Sequence, residues 1–119
     1  MPTVLVVDDD PDILDLLCTV LEQEGYTVER AAEGIAALDI LDRGRVDLLL
    51  TDVIMPGLNG FNLARMAKSR RSALKVLYLT GYYEQAKVMR DEGEKYGKLL
   101  AKPIRAAELR KEVGAALAD

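Results

Sequence analysis

The chain has no histidine, and this absence removes whole classes of chemistry. Ser-His-Asp and Cys-His nucleophilic catalysis both need an imidazole, as does histidine-ligated zinc. A chain without histidine also cannot carry a phosphohistidine of its own. Cysteine is almost as scarce. Cys18 is the only one of 119 residues, so no intramolecular disulfide forms, and its place in a helical pattern reads as a small core residue. Any metal must then be held mainly by oxygen, which suits magnesium or manganese. There is no long apolar segment to span a bilayer and no signal-peptide pattern. The expected location is the cytoplasm, with no membrane partner. Internal repeats, low-complexity stretches and linkers are also lacking. The net charge of −4 argues against nucleic acid as a direct partner.

Half the residues are apolar and 30% are charged, enough for one domain with a real core and a solvated surface. The pattern alternates between apolar runs and helical periodicity. Thr3–Val7 is an almost unbroken apolar run, the mark of a strand covered on both faces. Asp10-Pro11 opens a helix as cap and first residue; Ile13, Leu14, Leu17, Val20 and Leu21 repeat on one face, and Gly25 closes it. Tyr26–Ala31 is a weaker strand expected at an edge. Ile35–Asp42 is a short helix with Leu38 and Leu41 inward, stopped by Gly44. Val46–Leu50 is a third, buried strand. Met55-Pro56-Gly57 forces a turn, and Asn59 caps a helix that buries Phe61, Ala64 and Ala67. The basic end of that helix, Lys68-Ser69-Arg70-Arg71, reads as a solvated terminus that suits the helix dipole.

Lys75–Thr80 is a fourth strand. Tyr82–Glu92 reads as a helix with Ala86 and Met89 inward, and Gly93 and Gly97 bracket an irregular connection. Lys98–Ala101 is a fifth, short strand, and Leu109, Val113 and Leu117 mark the last helix. Five strands alternating with five helices predict an α/β fold, a parallel sheet with helices on both faces.

In such sheets the functional crevice lies outside the carboxyl ends of the strands. Those ends carry Asp8-Asp9, Asp52, Thr80 and Lys102. Each has a bland explanation alone. Aspartate starts turns after strands, threonine favours strands, and an acidic pair can sit in a solvated loop. Four of five strands delivering a polar group to one edge is a site. Asp10 and Asp12 are accounted for by the helix N-terminus, but Asp8 and Asp9 are not. With Asp52 they form an oxygen-rich magnesium site, since this ion takes few protein carboxylates and keeps several waters. Lys102 is a point charge for a phosphoryl oxygen, and Thr80 can donate a hydrogen bond to another. Asp52 can act as a carboxylate nucleophile and form an aspartyl phosphate.

At these residues the chain resembles the response-regulator receiver domain of two-component signalling, in its single-domain, chemotaxis-regulator-like form. The matching elements are LVVDDD at the first strand, Asp52 followed by Met55-Pro56 and Gly60, Thr80 before a small residue, and Lys102-Pro103. The resemblance covers the whole chain, and the order and spacing of the motifs are specific although each is weak alone. It implies a flavodoxin-like doubly wound sheet of order 2-1-3-4-5 and one receiver domain over residues 1–119 with no output domain. It implies that Asp52 is the phosphoacceptor and Asp9 the main acidic metal ligand, with Asp8 acting through water and the Ile54 carbonyl completing the protein's share. Thr80 and Lys102 would engage the phosphoryl group, and the Lys102–Pro103 bond would be cis. The implied cofactor is magnesium, with manganese able to substitute. The donor would be a histidine kinase or histidine phosphotransfer protein. The chain would catalyse its own phosphorylation and dephosphorylation and would not be a turnover enzyme.

One departure bears on output. Many receivers carry Tyr or Phe three residues before the lysine, where this chain has Leu99. Coupling is then expected to run through the Gly81–Gly97 segment, with Tyr82, Tyr83 and Tyr96 as the rings able to move. The downstream protein would bind the face of the fourth helix, fifth strand and fifth helix. Three rival readings exist. A haloacid-dehalogenase-like phosphatase would use Asp8-x-Asp10, but leaves Asp52 without a role and lacks an acidic pair after the lysine. A non-phosphorylated pseudo-receiver would not need the full acid, threonine and lysine set. A receiver cut from a hybrid kinase would share every feature above.

Overall fold

An apolar run can be a central strand only if both of its faces are covered, and the first strand meets that condition. In β1, Thr3–Val7, every residue from Val4 on is buried. Leu5 and Val7 point into one core and Val4 and Val6 into the other. The structure is a computed structural model that describes residues 1–89 and 95–119. After β1 the chain forms α1 (Pro11–Gln23), β2 (Thr27–Ala31), α2 (Gly34–Arg43), β3 (Leu48–Thr51) and α3 (Gly60–Arg70). Beyond these lie β4 (Lys75–Thr80), α4 (Tyr83–Val88), β5 (Gly97–Ala101) and α5 (Ala106–Ala118). The strands are all parallel, in the order β2-β1-β3-β4-β5. This is the doubly wound α/β sheet expected from the sequence, with β2 at an edge.

The two faces hold separate cores. On one, α1 and α5 bring Leu14, Leu17, Leu21, Leu109 and Val113 against Leu48, Leu50, Leu77 and Leu79. On the other, α2 and α3 bring Leu38, Leu41, Phe61, Ala64 and Ala67 against Leu49, Val76 and Tyr78. Cys18 is fully buried. The local signals for helix starts hold. Asp10 accepts from the N–H groups of Asp12 and Ile13, and Asn59 from that of Asn62. Gly97 is required where β5 begins, because a Cβ there would lie 1.9 Å from the Val76 carbonyl oxygen.

Four expectations change. The third strand starts at Leu48 rather than Val46, because Asp47 works as a clamp. Its N–H donates to the Thr3 carbonyl at 2.9 Å and its carbonyl accepts from Lys75 at 3.1 Å, while its carboxylate accepts the Thr3 N–H at 2.8 Å. The fourth helix closes at Val88 among the described residues; the expected continuation to Glu92 and the glycine at Gly93 lie outside them. Met89 is 39% exposed instead of inward, while Ala86 is buried. The basic end of α3 is partly structural. Lys68 donates to the Ser72 and Leu74 carbonyls at 2.7 and 2.9 Å, and Arg71 donates to the carbonyls of Leu41 and Gly44. Arg71 thus satisfies carbonyls at the end of α2 that have no partner in the helix, and Lys68 ties the end of α3 to the connection that follows it.

Asp47 generates the first prediction. The Thr3 N–H holds its carboxyl below the usual value, partial burial opposes this, and Arg45 adds to the lowering. A depressed carboxyl stabilises the fold above its unfolded value and loses that contribution as pH falls through the folded one. Asp47→Ala should therefore cost about 1–2 kcal/mol at neutral pH by stranding the Thr3 N–H. In urea melts, the gap from the parent protein should close as the pH is lowered through the carboxylate range. A gap that persists unchanged into acid would refute the clamp.

Candidate functional site

Three strands, β1, β3 and β5, are extended by one more ladder bond, and these bonds set the site. The Asp8 N–H donates to the Ala31 carbonyl at 3.2 Å, that of Asp52 to Val7 at 2.9 Å, and that of Lys102 to Thr80 at 2.8 Å. The backbone of each residue is thus pinned to the neighbouring strand just past the sheet. Asp52 is also fixed by α3. Gly60, the first residue of that helix, packs so tightly on it that a Cβ would lie 2.1 Å from the Asp52 carbonyl oxygen. The Thr51 hydroxyl donates to that same oxygen at 2.9 Å.

The side chains converge at the carboxyl edge. Carboxylate oxygens of Asp8, Asp9 and Asp52 all lie within 4.8 Å of one another. The Lys102 ammonium donates to Asp8 at 2.7 Å and to Asp52 at 3.1 Å. The other oxygen of Asp8 accepts the Asp10 N–H at 2.9 Å, whereas Oδ1 of Asp52 is buried with no hydrogen-bond partner. The Lys102–Pro103 peptide is cis. The cluster opens into a cleft of about 850 Å³, lined by Asp9, Asp52, Ile54, Gly81, Tyr82 and Lys102 among others.

Burial is the main electrostatic force here. It pushes the Asp52 carboxyl above its usual value, the Lys102 charge and hydrogen bond pull it back, and the Asp8 charge raises it again. Burial also draws the Lys102 ammonium down, but the hydrogen bond to Asp8 and the charges of Asp52 and Asp8 outweigh it, leaving the ammonium raised. Three carboxylates beside one ammonium leave an excess of negative charge. A hard divalent cation with oxygen ligands would neutralise it, and the donors present are all oxygen.

Of the residues singled out in the sequence, Asp8, Asp9, Asp52, Ile54 and Lys102 come together in this cleft. Thr80 is one step back. Its side chain is fully buried, and its hydroxyl accepts the Tyr82 N–H at 3.0 Å instead of facing the acids. Asp10, the residue a dehalogenase-like first motif would use, is occupied in capping α1. Tyr82, expected from the sequence as a mobile ring beyond the site, also lines the cleft, as does Gln85, which the sequence reading does not single out. The signal available for Gln85 was a polar residue in the first turn of a helix that starts at a strand's carboxyl end.

Comparison with known proteins agrees with this arrangement. The family model for the response regulator receiver domain matches residues 4–114. The chain is 33% identical over 113 residues to the response regulator receiver protein CpdR of Brucella abortus, covering 95% of this chain and 94% of that one. It is 36% identical over 112 residues to sporulation initiation phosphotransferase F of Bacillus subtilis, covering 92% and 89%. Among solved structures, the response regulator TrrA of Thermotoga maritima, in complex with Mg2+ and BeF, superposes with a TM-score of 0.87 at 31% identity, covering 98% and 99%. Among the described residues, no helix is long and apolar enough to cross a membrane. The chain belongs to the response regulator receiver domains of two-component signalling, a family of phosphoacceptors rather than turnover enzymes.

Proposed function

We propose that Asp52 accepts a phosphoryl group from a phosphohistidine on a histidine kinase or phosphotransfer protein. The observation that carries this reading is Asp52 Oδ1, a buried carboxylate oxygen with no hydrogen-bond partner beside two further acids and a lysine. The Asp52 oxygen forms the new bond to phosphorus as the bond from phosphorus to the donor's histidine nitrogen breaks, leaving a neutral imidazole once a proton is taken up. Asp8, Asp9, Asp52 and the Ile54 carbonyl would hold magnesium, or manganese in its place, and the bound cation supplies charge neutralisation for phosphoryl oxygens. Lys102, which donates to Asp52 at 3.1 Å, would move that hydrogen bond to a phosphoryl oxygen. Thr80 would redirect its hydroxyl toward the group, which weakens its contact with the Tyr82 N–H. The same residues would present water to the aspartyl phosphate in self-dephosphorylation.

We further read the α4–β5–α5 face as the output surface for a protein partner. Tyr82 is 57% and Val88 87% exposed on its α4 side, an apolar presentation without a partner in the described fold. Leu99 on β5 is only partly buried and packs against the α2–α3 core, so it offers no hydroxyl to Thr80.

Three measurements test these readings. Incubation with acetyl phosphate and Mg2+ should add one phosphoryl group by mass, and Asp52→Asn should abolish it with the fold intact; stable incorporation at another carboxylate would refute the assignment. A magnesium titration should raise the melting temperature, by about 2.7 kcal/mol in stability at 100 times the dissociation constant. Asp9→Ala should remove that gain and stabilise the metal-free protein by relieving repulsion, and a flat titration would count against the site. Hydrogen exchange with and without beryllofluoride should show changed protection from Gly81 through Tyr83 and at Tyr96–Gly97. Changes confined to the Asp52 loop, or found only on α1, would overturn the output face.

A further inference from the structure

The end of the molecule opposite the acidic cluster has the opposite charge. Residues 43–75 carry seven cations against two acids, a net +5 inside a chain of net −4. The fold gathers the outer parts of this segment at the amino-terminal edge of the sheet, around a cleft of about 770 Å³. Arg45 reaches it from the α2–β3 connection, Arg70 and Arg71 from the end of α3, and Lys75 from the start of β4. Val46 and Leu74 are buried and, with the half-buried Leu117, give the cleft an apolar side.

Helix-end chemistry explains only part of this cluster. Lys68 and Arg71 are engaged on backbone carbonyls, and the end of α3 accounts for Arg70. It does not account for Arg45 or Lys75, which lie on no helix end. Arg45 meets Asp47 through Nε at 3.3 Å, and Arg70 meets Asp42 through Nε at 3.5 Å. The terminal amino groups of both have no partner among the described residues, nor does the Lys75 ammonium. Paired guanidinium N–H groups suit phosphate oxygens, and a lysine adds a point charge. A concave volume of this size with an apolar wall and a few convergent cations suits a small organic ligand.

We propose that this cleft binds a ligand with two or more linked phosphates on an apolar ring system, the chemistry of a nucleoside di- or triphosphate. The phosphates would lie along Arg45, Arg70 and Lys75, and the ring against Leu74 and Leu117. The site is separate from Asp8, Asp9 and Asp52 and does not depend on their phosphorylation.

The test is calorimetric titration of the intact protein with ATP, adenosine and inorganic phosphate, in EDTA so that no metal–phosphate complex enters the acidic cleft. ATP should bind more tightly than either fragment, and affinity should fall with added salt because exposed charges are screened. Amide shifts should move at Arg45 and from Arg70 to Lys75, and stay fixed at Asp8 and Asp52. Lys75→Gln alone, at a side chain with no partner to lose, should weaken ATP measurably. The triple variant Arg45→Gln, Arg70→Gln, Lys75→Gln should weaken it by about tenfold or more while acetyl phosphate still modifies Asp52. No ATP binding at about 1 mM, binding no tighter than inorganic phosphate, equal affinity in Lys75→Gln, or shifts centred on Asp52 would each overturn the proposal.

Discussion

One buried ammonium shared by two buried carboxylates is the constraint on which this structure turns. Lys102 retains 14% side-chain exposure, Asp8 2% and Asp52 8%, so all three charges have lost most of their water. Removing one partner from such a set leaves an uncompensated buried charge, which costs far more than the set contributes when complete. The residues are 50 and 94 positions apart in sequence. Only a sheet that places β1, β3 and β5 ends at one edge can assemble them. The order β2-β1-β3-β4-β5 does so, with β4 supplying Thr80 between Asp52 and Lys102. The set still carries excess negative charge, and the Asp52 carboxyl is raised mainly by burial, with the Asp8 charge adding to it. A site with that excess could hold a divalent cation among its oxygen ligands.

The two edges of the sheet divide the work. At the carboxyl edge, backbone ladder bonds continue one residue past β1, β3 and β5, so the backbones of Asp8, Asp52 and Lys102 are held from behind. At the amino edge, the side chains themselves close the structure. Asp47 ties β1 to β3, Arg71 satisfies the end of α2, and Lys68 braces the connection from α3 to β4. Charges at the amino edge close the fold, and charges at the carboxyl edge crowd together where the proposed reaction would take place.

Much of this was legible in the sequence, for reasons that can be named residue by residue. Buried parallel strands read as apolar runs, so β1 and β4 were found with their bounds, and Asp8, Asp52 and Lys102 emerged as strand-end residues. Asp10 and Asn59 announce helices through a local cap, which needs no tertiary knowledge. The misses have a common cause. Arg71 bonds a carbonyl 30 residues away, and nothing near it in the chain signals that partner. Asp47 was counted into a strand because its neighbours are apolar, whereas its role is set by Thr3 across the sheet. Met89 fits a helical period, but α4 has only six residues and one buried position, Ala86. Periodicity reports which residues could face inward, and packing decides how many do.

The same distinction bears on the proposed output route, in which Leu99 stands where many receivers carry an aromatic. That residue pairs in register with Tyr78 on β4, so the ring absent from β5 has a counterpart one strand inward. Tyr78 is fully buried and meets Phe61 edge to face, with ring centroids 4.8 Å apart and planes at 69°. A phenol enclosed between α3 and the next strand cannot swing without opening a cavity, and cavities in a packed core are costly. Tyr78 lies two residues before Thr80 on the same face of β4, so it fixes the strand up to the threonine. Under the proposed function, a shift of the Thr80 hydroxyl would then be passed forward rather than sideways. The first group it meets is the Tyr82 N–H, bonded to its hydroxyl, and between them lies Gly81, where an added Cβ would meet only Lys102 at 3.9 Å. A packed strand that ends in a threonine, an open glycine and an exposed tyrosine would direct such a shift into the start of α4.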